Sequence, residues 1–512
     1  MKHIVITVRL WGMEVGRLQW DSRRGNSVFA YSTDFLNSGY DIAPLSNSTR
    51  TMEARLPVWG NREKLYGGLP PFIADSLPDN WGNKVFEQWA LENGLRRHDI
   101  TPLEKLAYIG KRGMGALEFE PHVGPNGNDE ALHIERLTEL ATKIYRQREN
   151  TGIVLDDSLT MQSLFEVGTS AGGRQAKAII AINGETGEVR SGQAKSDSTF
   201  KHYILKFDMD YEYCYPATLL EMVYYEMAVA AGIRIMPSKL LEVEGRRHFL
   251  TERFDRKGEN KIHVQTLAAI NPLAESYEDL FKTARKINVA KSEIIALFRQ
   301  TVFNFLAGNT DDHNKNFSFT MGRDGVWHLA PAYDLTFTWR SPQSEYPHCL
   351  SLRGRTDGKD ILKELSDFAR DEGIPAPDRI ICQVAEAICS FRLLCEKYKV
   401  PSFWTDFIEE SLHEFAPESY KEKLSGWQNG KVPSYHEYAH HIENARLELS
   451  ERGNLHLYAT IDGKEMKYII SKDSETVHDI LSGESSENSP QTIKKLVSKF
   501  LLPKIASRCD RL

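Results

Sequence analysis

The sequence contains no uninterrupted apolar segment that approaches the roughly 18 residues of a membrane-spanning helix. Its N-terminus reaches Arg9 before any long apolar stretch develops, which is not the pattern of a signal peptide. No two cysteines are spaced as C-x-x-C, and neither sign of charge dominates, because 64 Lys and Arg stand against 71 Asp and Glu. These absences argue against a membrane protein, a zinc site built on cysteine pairs and a chain whose whole surface binds nucleic acid. They favour a cytoplasmic enzyme or binding protein.

The six cysteines are expected to act as small buried apolar residues in a reducing compartment, and not as disulfide partners or zinc ligands. Three of them fall within one predicted helix over 379–398. The six are Cys214, Cys349, Cys382, Cys389, Cys395 and Cys509.

The order of the predicted elements indicates an α+β protein, because strands dominate the first half and helices the second. The 512 residues, of which 41% are hydrophobic, can build a sizeable core and two to four domains. We divide the chain into a β-rich N-terminal part, a second strand-rich part with one long helix, a mostly helical lobe and an appended module of unknown role. Their boundaries are 1–125, 126–272, 273–450 and 451–512.

Hydrophobic periodicity and turn residues predict the individual elements. Largely period-two patterning, broken by glycines, predicts a small antiparallel sheet in the first 31 residues. The strands predicted after it are 117–119, 176–182, 202–207, 238–243, 248–254 and a hairpin of 455–461 with 466–471. One predicted helix starts after Asn80. The other predicted helices cover 134–145, 216–231, 291–306, 376–398, 403–415 and a basic segment, 490–500. The helical pattern is expected to continue to about residue 450.

The strongest local signal for chemistry is the segment 309–316, NTDDHNKN, which follows an apolar helix. Phosphoryl transfer needs a carboxylate near the attacking hydroxyl and an amide oxygen that helps to hold Mg²⁺. In protein kinases these groups are an Asp and an Asn five residues later, which is the spacing of Asp311 and Asn316. Asp334 follows a short predicted hairpin and supplies a second metal-binding carboxylate.

Two other interpretations of this segment stay open at the level of sequence. Asn and Asp are common in turns, so 309–316 also fits an ordinary connection between a helix and a strand. A metal site of Asp311, Asp312 and His313 is a further alternative, although the chain has no H-E-x-x-H or C-x-x-C partner for it.

Three further features fit a nucleotide site. The glycine-rich segment 168–173 could let backbone N–H groups approach phosphates, although it is not a Walker A motif and also fits a plain flexible loop. Lys206 lies in an apolar strand, where a lysine needs a partner such as Glu221 or Glu226, unless it reaches solvent at the strand end. The strand ending at 251–256 could offer Glu252 and Phe254 to an adenine ring, or could be an edge strand with alternating charge.

In this order, the segments resemble the HipA family of toxin kinases over roughly residues 1–440. Residues 310–316 match the family pattern T-D-x-H-x-K-N, the most specific of the similarities. The segments 77–82 (LPDNWG), 110–116, 170–177, 251–256 and 333–335 are similar to other motifs of the family.

The resemblance implies a bilobal, kinase-like fold with a nucleotide-binding core over 126–272 and the catalytic loop in the helical lobe. It also implies roles for individual residues in a serine/threonine kinase that uses ATP and Mg²⁺. The catalytic residues would be Asp311 as base, with His313 and Lys315 orienting the loop or neutralising charge. The Mg²⁺ ligands would be Asn316 and Asp334. The ATP-binding residues would be Gly168, Ser170, Gly172, Gly173, Lys206, Glu221, Glu252 and Phe254.

The same resemblance implies that Ser170 is autophosphorylated and acts as a regulatory switch. It implies a protein substrate such as an aminoacyl-tRNA synthetase, a HipB-like DNA-binding antitoxin, and contact with DNA only through that partner. The alternative is a catalytically silent pseudokinase that acts as a corepressor with such a partner. The chain departs from the family in its last segment, 453–512. The segment 263–267 also differs from the longer Q-E-D motif of the best-studied toxins, so the resemblance assigns no role to Gln265.

Overall fold

The computed structural model describes most of the chain. The described residues are 4–96, 100–125, 132–146, 164–165, 175–192, 199–209, 215–258, 260–338, 348–357 and 361–415, with the backbone of four strands between 442 and 479. None of the helices in these ranges combines the length and the apolarity that crossing a bilayer requires.

The N-terminal part is built on a five-stranded antiparallel sheet in the order β4-β3-β2-β1-β5. Its strands are β1 (Val5–Leu10), β2 (Met13–Asp21), β3 (Asn26–Tyr31), β4 (Val58–Trp59) and β5 (Leu117–Glu120). Alternate residues of β1, namely Ile6, Val8 and Leu10, are buried and Val5 is exposed, so the strand has one face towards the core.

Three short helices and two helices of 13 residues accompany this sheet in the chain. They are α1 (Thr33–Leu36), α2 (Pro71–Ala74), α3 (Asn80–Glu92), α4 (Pro102–Ile109) and α5 (Ile134–Arg146). Helix α3 starts where the sequence predicts, because the side chain of Asp79 accepts a hydrogen bond from Gly82 N and caps its N-terminus. Helix α4 has a complete capping box, formed by Thr101 and Glu104.

A second five-stranded sheet, in the order β7-β6-β8-β10-β9, forms the strand-rich core. Its strands are β6 (Lys177–Asn183), β7 (Val189–Ser191), β8 (Phe200–Lys206), β9 (Ser238–Val243) and β10 (Arg246–Glu252). The long helix α6 (Ala217–Ala230) lies between β8 and β9 in the chain and contacts β9 and β10. A small three-stranded sheet follows, and it consists of β13 (His263–Thr266), β14 (Ser318–Met321) and β15 (Trp327–Leu329). The pair β11 (Arg256–Lys257) and β12 (Asn260–Lys261) precedes it.

The helical lobe follows as predicted, so the chain is an α+β protein with a β-rich N-terminal part. Its helices are α7 (Leu267–Ile270), α8 (Tyr277–Lys286), α9 (Lys291–Leu306), α10 (Ile361–Asp371), α11 (Pro377–Ile388), α12 (Phe391–Tyr398) and α13 (Ser402–Phe415). Helix α6 contacts α11 and α12, which joins the strand-rich core to this lobe.

The predicted single helix over 376–398 is wrong, because it is divided between α11 and α12. At the break, the hydroxyl of Ser390 donates to Ala387 O at 2.6 Å and competes for a carbonyl group of the helix end. The expectation that the cysteines are buried is wrong for three of the four that the structure describes, and Cys214 and Cys509 lie outside the described residues. Cys349 and Cys382 are exposed and Cys389 is half-buried, whereas Cys395 is buried.

The C-terminal strands form a four-stranded sheet, which includes the predicted hairpin of β17 (Leu455–Ile461) and β18 (Lys464–Ile470). Its other strands are β16 (Ile442–Leu449) and β19 (Val477–Asp479). The predicted continuation of helix to about residue 450 is therefore wrong for 442–449, since β16 pairs with β17. The predicted basic helix over 490–500 lies outside the described residues.

Candidate active site

Lys206, at the end of β8, forms a buried ion cluster with two carboxylates from distant parts of the chain. Its Nζ lies 2.8 Å from Glu221 Oε2 of α6 and 2.5 Å from Asp334 Oδ1. Only 10% of the Lys206 side chain is exposed, so the lysine does not reach solvent at the strand end. Glu226, the other carboxylate considered on α6, instead contacts Lys397 at the surface.

The charges of this cluster keep Asp334 ionised. Burial by itself raises the pKa of the Asp334 carboxyl, but the ammonium groups of Lys206 and Lys177 outweigh it and hold this pKa below its usual value. For Lys206, burial lowers the pKa, yet Asp334 and Glu221 raise it above the usual value. A buried lysine paired with carboxylates from a helix and from a later loop is suited to hold an anionic group such as a phosphate.

The loop 309–316 follows α9 and carries the predicted catalytic residues. The side chain of Asp311 is 56% exposed, and its backbone N donates to Thr338 Oγ1 at 3.1 Å. The side-chain amide of Asn316 donates to Asp311 O at 2.7 Å, so the two residues five positions apart lie together. His313 lies beside Asp311, with Nε2 4.0 Å from its Oδ2.

The segment that carries Asp334 is hydrogen-bonded to this loop at both ends. Before Asp334, Tyr333 OH donates to Lys315 O at 2.7 Å. After it, Thr338 contacts Asp311 N and also donates to Asn309 Oδ1 at 3.3 Å. Asp334 itself has φ +51°, a backbone conformation that is uncommon outside glycine and is frequent at functional sites. The structure thus brings Asp311, Asn316, Asp334 and Lys206 into one region.

The residues predicted as Mg²⁺ ligands fit that role by their chemistry. The nitrogen of the Asn316 amide is used in the bond to Asp311 O, which leaves the amide oxygen as a ligand atom. Asp334 is ionised and only one of its oxygens is paired with Lys206. Mg²⁺ prefers oxygen ligands and is commonly held by one or two carboxylates together with substrate phosphates.

The alternative metal site of Asp311, Asp312 and His313 is wrong for the described residues, where no three His, Cys, Asp or Glu side chains form such a cluster. Asp312 points away from Asp311 into the core and is only 1% exposed. Its carboxylate accepts hydrogen bonds from Tyr277 OH at 2.5 Å and from Cys349 N at 2.7 Å. His348 Nδ1 lies 2.8 Å from the same carboxylate. Through these three contacts, Asp312 attaches the loop 309–316 to the core.

The predicted adenine-binding residues lie at the end of β10. Glu252 ends that strand, and its carboxylate is 3.6 Å from Lys201 Nζ. Phe254 stacks on Tyr333, with the ring centroids 6.0 Å apart, which places this segment next to Asp334. Gln265, by contrast, is fully buried and donates to Phe72 O at 3.4 Å, a contact with the N-terminal part.

The buried ion cluster that follows Glu252 was not predicted from the sequence. Asp255 is bonded to Arg253 and Arg256, and its Oδ2 accepts a hydrogen bond from Gly115 N at 2.7 Å. Gly115 has φ +75°, and a Cβ there would lie 2.9 Å from Val264 N. The glycine-rich segment 110–116 is therefore packed against Val264 of β13, and Gly115 allows the two backbones to approach each other closely.

We expect Asp255→Ala to lower the free energy of unfolding by about 3–5 kcal/mol, because it leaves two buried arginines without their carboxylate. Burial raises the pKa of Asp255, but Arg253 and Arg256 outweigh it and hold the pKa below its usual value. The stabilisation is accordingly present above an ordinary carboxyl pKa of about 4 and is lost as the pH falls below it.

Urea denaturation of the wild type and the variant measures this effect. The control is Asp367→Ala, which removes an ion pair with the exposed Arg370 and should cost less than about 1 kcal/mol. Equal losses in the two variants would contradict a special role for the Asp255 cluster.

Sequence reasoning gave no role to Lys177, the first residue of β6. The structure pairs it directly opposite Lys206 across β6 and β8. Its ammonium lies 3.0 Å from Asp79 Oδ2, and its side chain is 1% exposed. The only indication in the sequence was that Lys177, like Lys206, is a lysine in an apolar strand. Its partner, Asp79, is 98 positions away and could not be identified from the pattern. The predicted phosphate loop, with Gly168, Ser170, Gly172 and Gly173, lies outside the described residues.

Comparisons with known proteins show which families and proteins this chain resembles. A model of the HipA N-terminal domain matches residues 6–120, and a model of the HipA-like C-terminal domain matches residues 169–390. Y4mE of Sinorhizobium fredii, a candidate kinase, is 25% identical over 401 residues, which are 73% of this chain and 87% of that protein. The serine/threonine-protein kinase toxin HipA of Shewanella oneidensis is 22% identical over 409 residues, which are 73% of this chain and 84% of the toxin.

Among solved structures, the chain is similar to HipA of Shewanella oneidensis in its complex with HipB and operator DNA. The TM-score is 0.53 at 17% sequence identity, and the match covers 82% of this chain and 96% of that chain. At this level of identity, the likeness shows the fold.

Proposed function

Because the chain belongs to the HipA family, we propose that it is a serine/threonine protein kinase that uses ATP and Mg²⁺. The observation that carries the proposal is the meeting of Lys206, Glu221 and Asp334 beside the loop with Asp311 and Asn316. Protein kinases need such a set: a lysine held by a helical carboxylate, two metal ligands and a carboxylate that faces the substrate.

Each residue has a separate task in the proposed reaction. Lys206, held by Glu221, contacts phosphate oxygens and offsets their charge. Asn316 and Asp334 would hold Mg²⁺, which when bound would neutralise charge on the phosphates. Asp311 is exposed and accepts the proton of the substrate hydroxyl, whose oxygen bonds to the γ-phosphorus while the bond to the β–γ bridging oxygen breaks. Lys315 supplies further positive charge near the loop, and His313, beside Asp311, orients the loop.

A protein substrate and a DNA-binding partner complete the proposal. Shewanella oneidensis HipA has been solved together with HipB and operator DNA, and we propose that this chain binds a HipB-like antitoxin in the same general manner. With a net charge of −7, the chain would reach DNA only through that partner. An aminoacyl-tRNA synthetase is the substrate class that the family resemblance implies.

The second candidate is a pseudokinase that binds its partner without turnover. The presence of Lys206, Asp311, Asn316 and Asp334 supports the kinase instead, since a decayed site is expected to lose at least one of them. Complex formation with a HipB-like protein in the absence of any phosphate transfer would favour the pseudokinase.

We further propose that the kinase phosphorylates its own Ser170 and that the phosphate switches the glycine-rich loop, because added negative charge repels an anionic nucleotide. The dephosphorylated protein is incubated with ATP and Mg²⁺, and the modified residue is mapped by mass spectrometry. Phosphate is expected on Ser170 in the wild type, and its amount should fall to background in Ser170→Ala. Thr169→Ala, which removes the neighbouring hydroxyl, serves as the matched control and should be modified normally. Modification that persists in Ser170→Ala would show that the site is elsewhere.

A further inference from the structure

One segment of the N-terminal part, 71–82, lies between the two sheets that flank the candidate site. On one side, Asp75 accepts hydrogen bonds from Thr266 N at 2.7 Å and from Thr266 Oγ1 at 2.8 Å, at the end of β13. On the other side, Trp81 Nε1 donates to Lys177 O at 2.8 Å, at the start of β6. The segment therefore contacts both the strand-rich core and the three-stranded sheet of β13, β14 and β15. Strand β14 of that sheet begins directly after the catalytic loop.

Asp79 in this segment makes two contacts with one carboxylate. Oδ1 accepts the hydrogen bond from Gly82 N that caps α3, and Oδ2 lies 3.0 Å from Lys177 Nζ. Because both Asp79 and Lys177 are almost fully buried, this ion pair is shielded from solvent. Together with Trp81, Asp79 fixes Lys177 at its ammonium group and at its carbonyl oxygen.

The position of Lys177 makes this contact relevant to the site. Lys177 and Lys206 are direct partners in the pairing of β6 with β8, so their side chains lie on the same face of the sheet. Two ammonium groups in this arrangement repel each other unless carboxylates separate their charges. Glu221 and Asp334 form ion pairs with Lys206, and Asp79 forms an ion pair with Lys177. Without Asp79, Lys177 would compete with Lys206 for the same two carboxylates.

We propose that Asp79 is a positioning residue that holds Lys177 beside Lys206, so that the N-terminal part completes the nucleotide site of the kinase. The inference rests on the proposed function, because it assumes that the two lysines face the phosphates of ATP. It assigns the N-terminal part a role in nucleotide binding, beyond support of the fold.

The test uses the full chain with Asp79→Asn and Asp79→Glu. Asparagine caps helices as well as aspartate does, so Asp79→Asn keeps the cap of α3 and removes the charge that holds Lys177. Asp79→Glu restores that charge. The control is Thr101→Ala, which breaks the capping box of α4 in the same part of the chain without touching Lys177.

The affinity for ATP with Mg²⁺ is measured by isothermal titration calorimetry, and KM and kcat by transfer of labelled phosphate. Asp79→Asn should raise the dissociation constant and KM about 10- to 30-fold with kcat changed less than about threefold, as expected for loss of one buried charge partner. Asp79→Glu should recover most of the affinity. Thr101→Ala should unfold at lower denaturant concentration and bind ATP as the wild type does.

Several results would overturn the inference, and they are distinguishable. If the wild type binds ATP and Asp79→Asn binds it equally well, Asp79 has no positioning role although the kinase proposal stands. If the wild type binds no ATP, the proposed function is wrong and this inference fails with it. If Asp79→Asn does not fold, Trp81→Phe takes its place, because it removes the bond to Lys177 O, together with part of a buried ring, and keeps the Asp79 carboxylate. Trp81→Phe should raise KM about threefold, and an unchanged KM would reject the proposal.

Discussion

Replacing Asp311 with Asn is expected to slow phosphate transfer by about 10²–10⁴-fold, the usual contribution of a positioned general base. The Asp311 side chain is exposed and lies outside the buried cluster around Lys206, so the variant should fold and bind ATP normally. Its backbone contacts with Asn316 and Thr338 do not depend on the carboxylate. Steady-state transfer of labelled phosphate and calorimetric binding of ATP separate the two effects.

Asp324→Asn is the matched control for this prediction. Asp324 is an exposed carboxylate in the turn between β14 and β15, where it accepts a hydrogen bond from Val326 N. Its replacement should leave transfer and ATP affinity unchanged. If Asp311→Asn transferred phosphate as fast as Asp324→Asn, Asp311 would not be the base.

Replacing Lys206 with Met should damage both activity and stability. It removes the cation that two carboxylates share, so Glu221 and Asp334 repel each other in a largely buried position. We expect the free energy of unfolding to fall by about 2–4 kcal/mol, as for other buried pairs that lose one partner. The specificity constant for ATP should fall at least about 10²-fold, because a charged group that contacts the phosphates is lost.

Two further variants separate the charge effect from a general loss of packing. The double variant Lys206→Met/Glu221→Leu removes one of the repelling carboxylates, so it should recover part of the stability and none of the activity. Glu226→Gln, on the same helix, affects only surface contacts with Lys397 and Tyr398 and should cost less than about 1 kcal/mol. A Lys206→Met protein with normal ATP affinity would remove this lysine from the site.

The sequence was most informative where a local pattern determines the structure. Alternation in β1 and the cap at Asp79 depend on neighbouring residues, and the predicted strand and helix start are confirmed. The lysine at 206 was informative for a different reason, because a charge within an apolar strand requires a partner. Its burial at the end of β8, between two carboxylates, fits that expectation.

The remaining features depend on residues that are distant in the chain. Glu221 and Glu226 lie on the same helix, and only the packing of α6 decides which of them reaches Lys206. Lys177 contacts Asp79 across 98 positions, so no local pattern identifies the pair. Asp312 resembles a metal ligand in the sequence, but Tyr277 and His348 bury it beneath the loop. Similarly, the segment 442–449 is a strand because it pairs with β17, and its own pattern did not predict this.

The most direct test of the central claim compares two preparations of ATP, one labelled at the γ-phosphate and the other at the α-phosphate. The dephosphorylated wild type and Asp311→Asn are incubated with each in the presence of Mg²⁺, and label on protein is followed by gel. A kinase predicts label only from the γ-position, on serine or threonine, and only with the wild type. Label from the α-position would indicate transfer of a nucleotide instead, and label from the γ-position at equal rates in both proteins would contradict the assigned catalytic base. No label on any protein, despite ATP binding, would contradict the kinase and favour the pseudokinase.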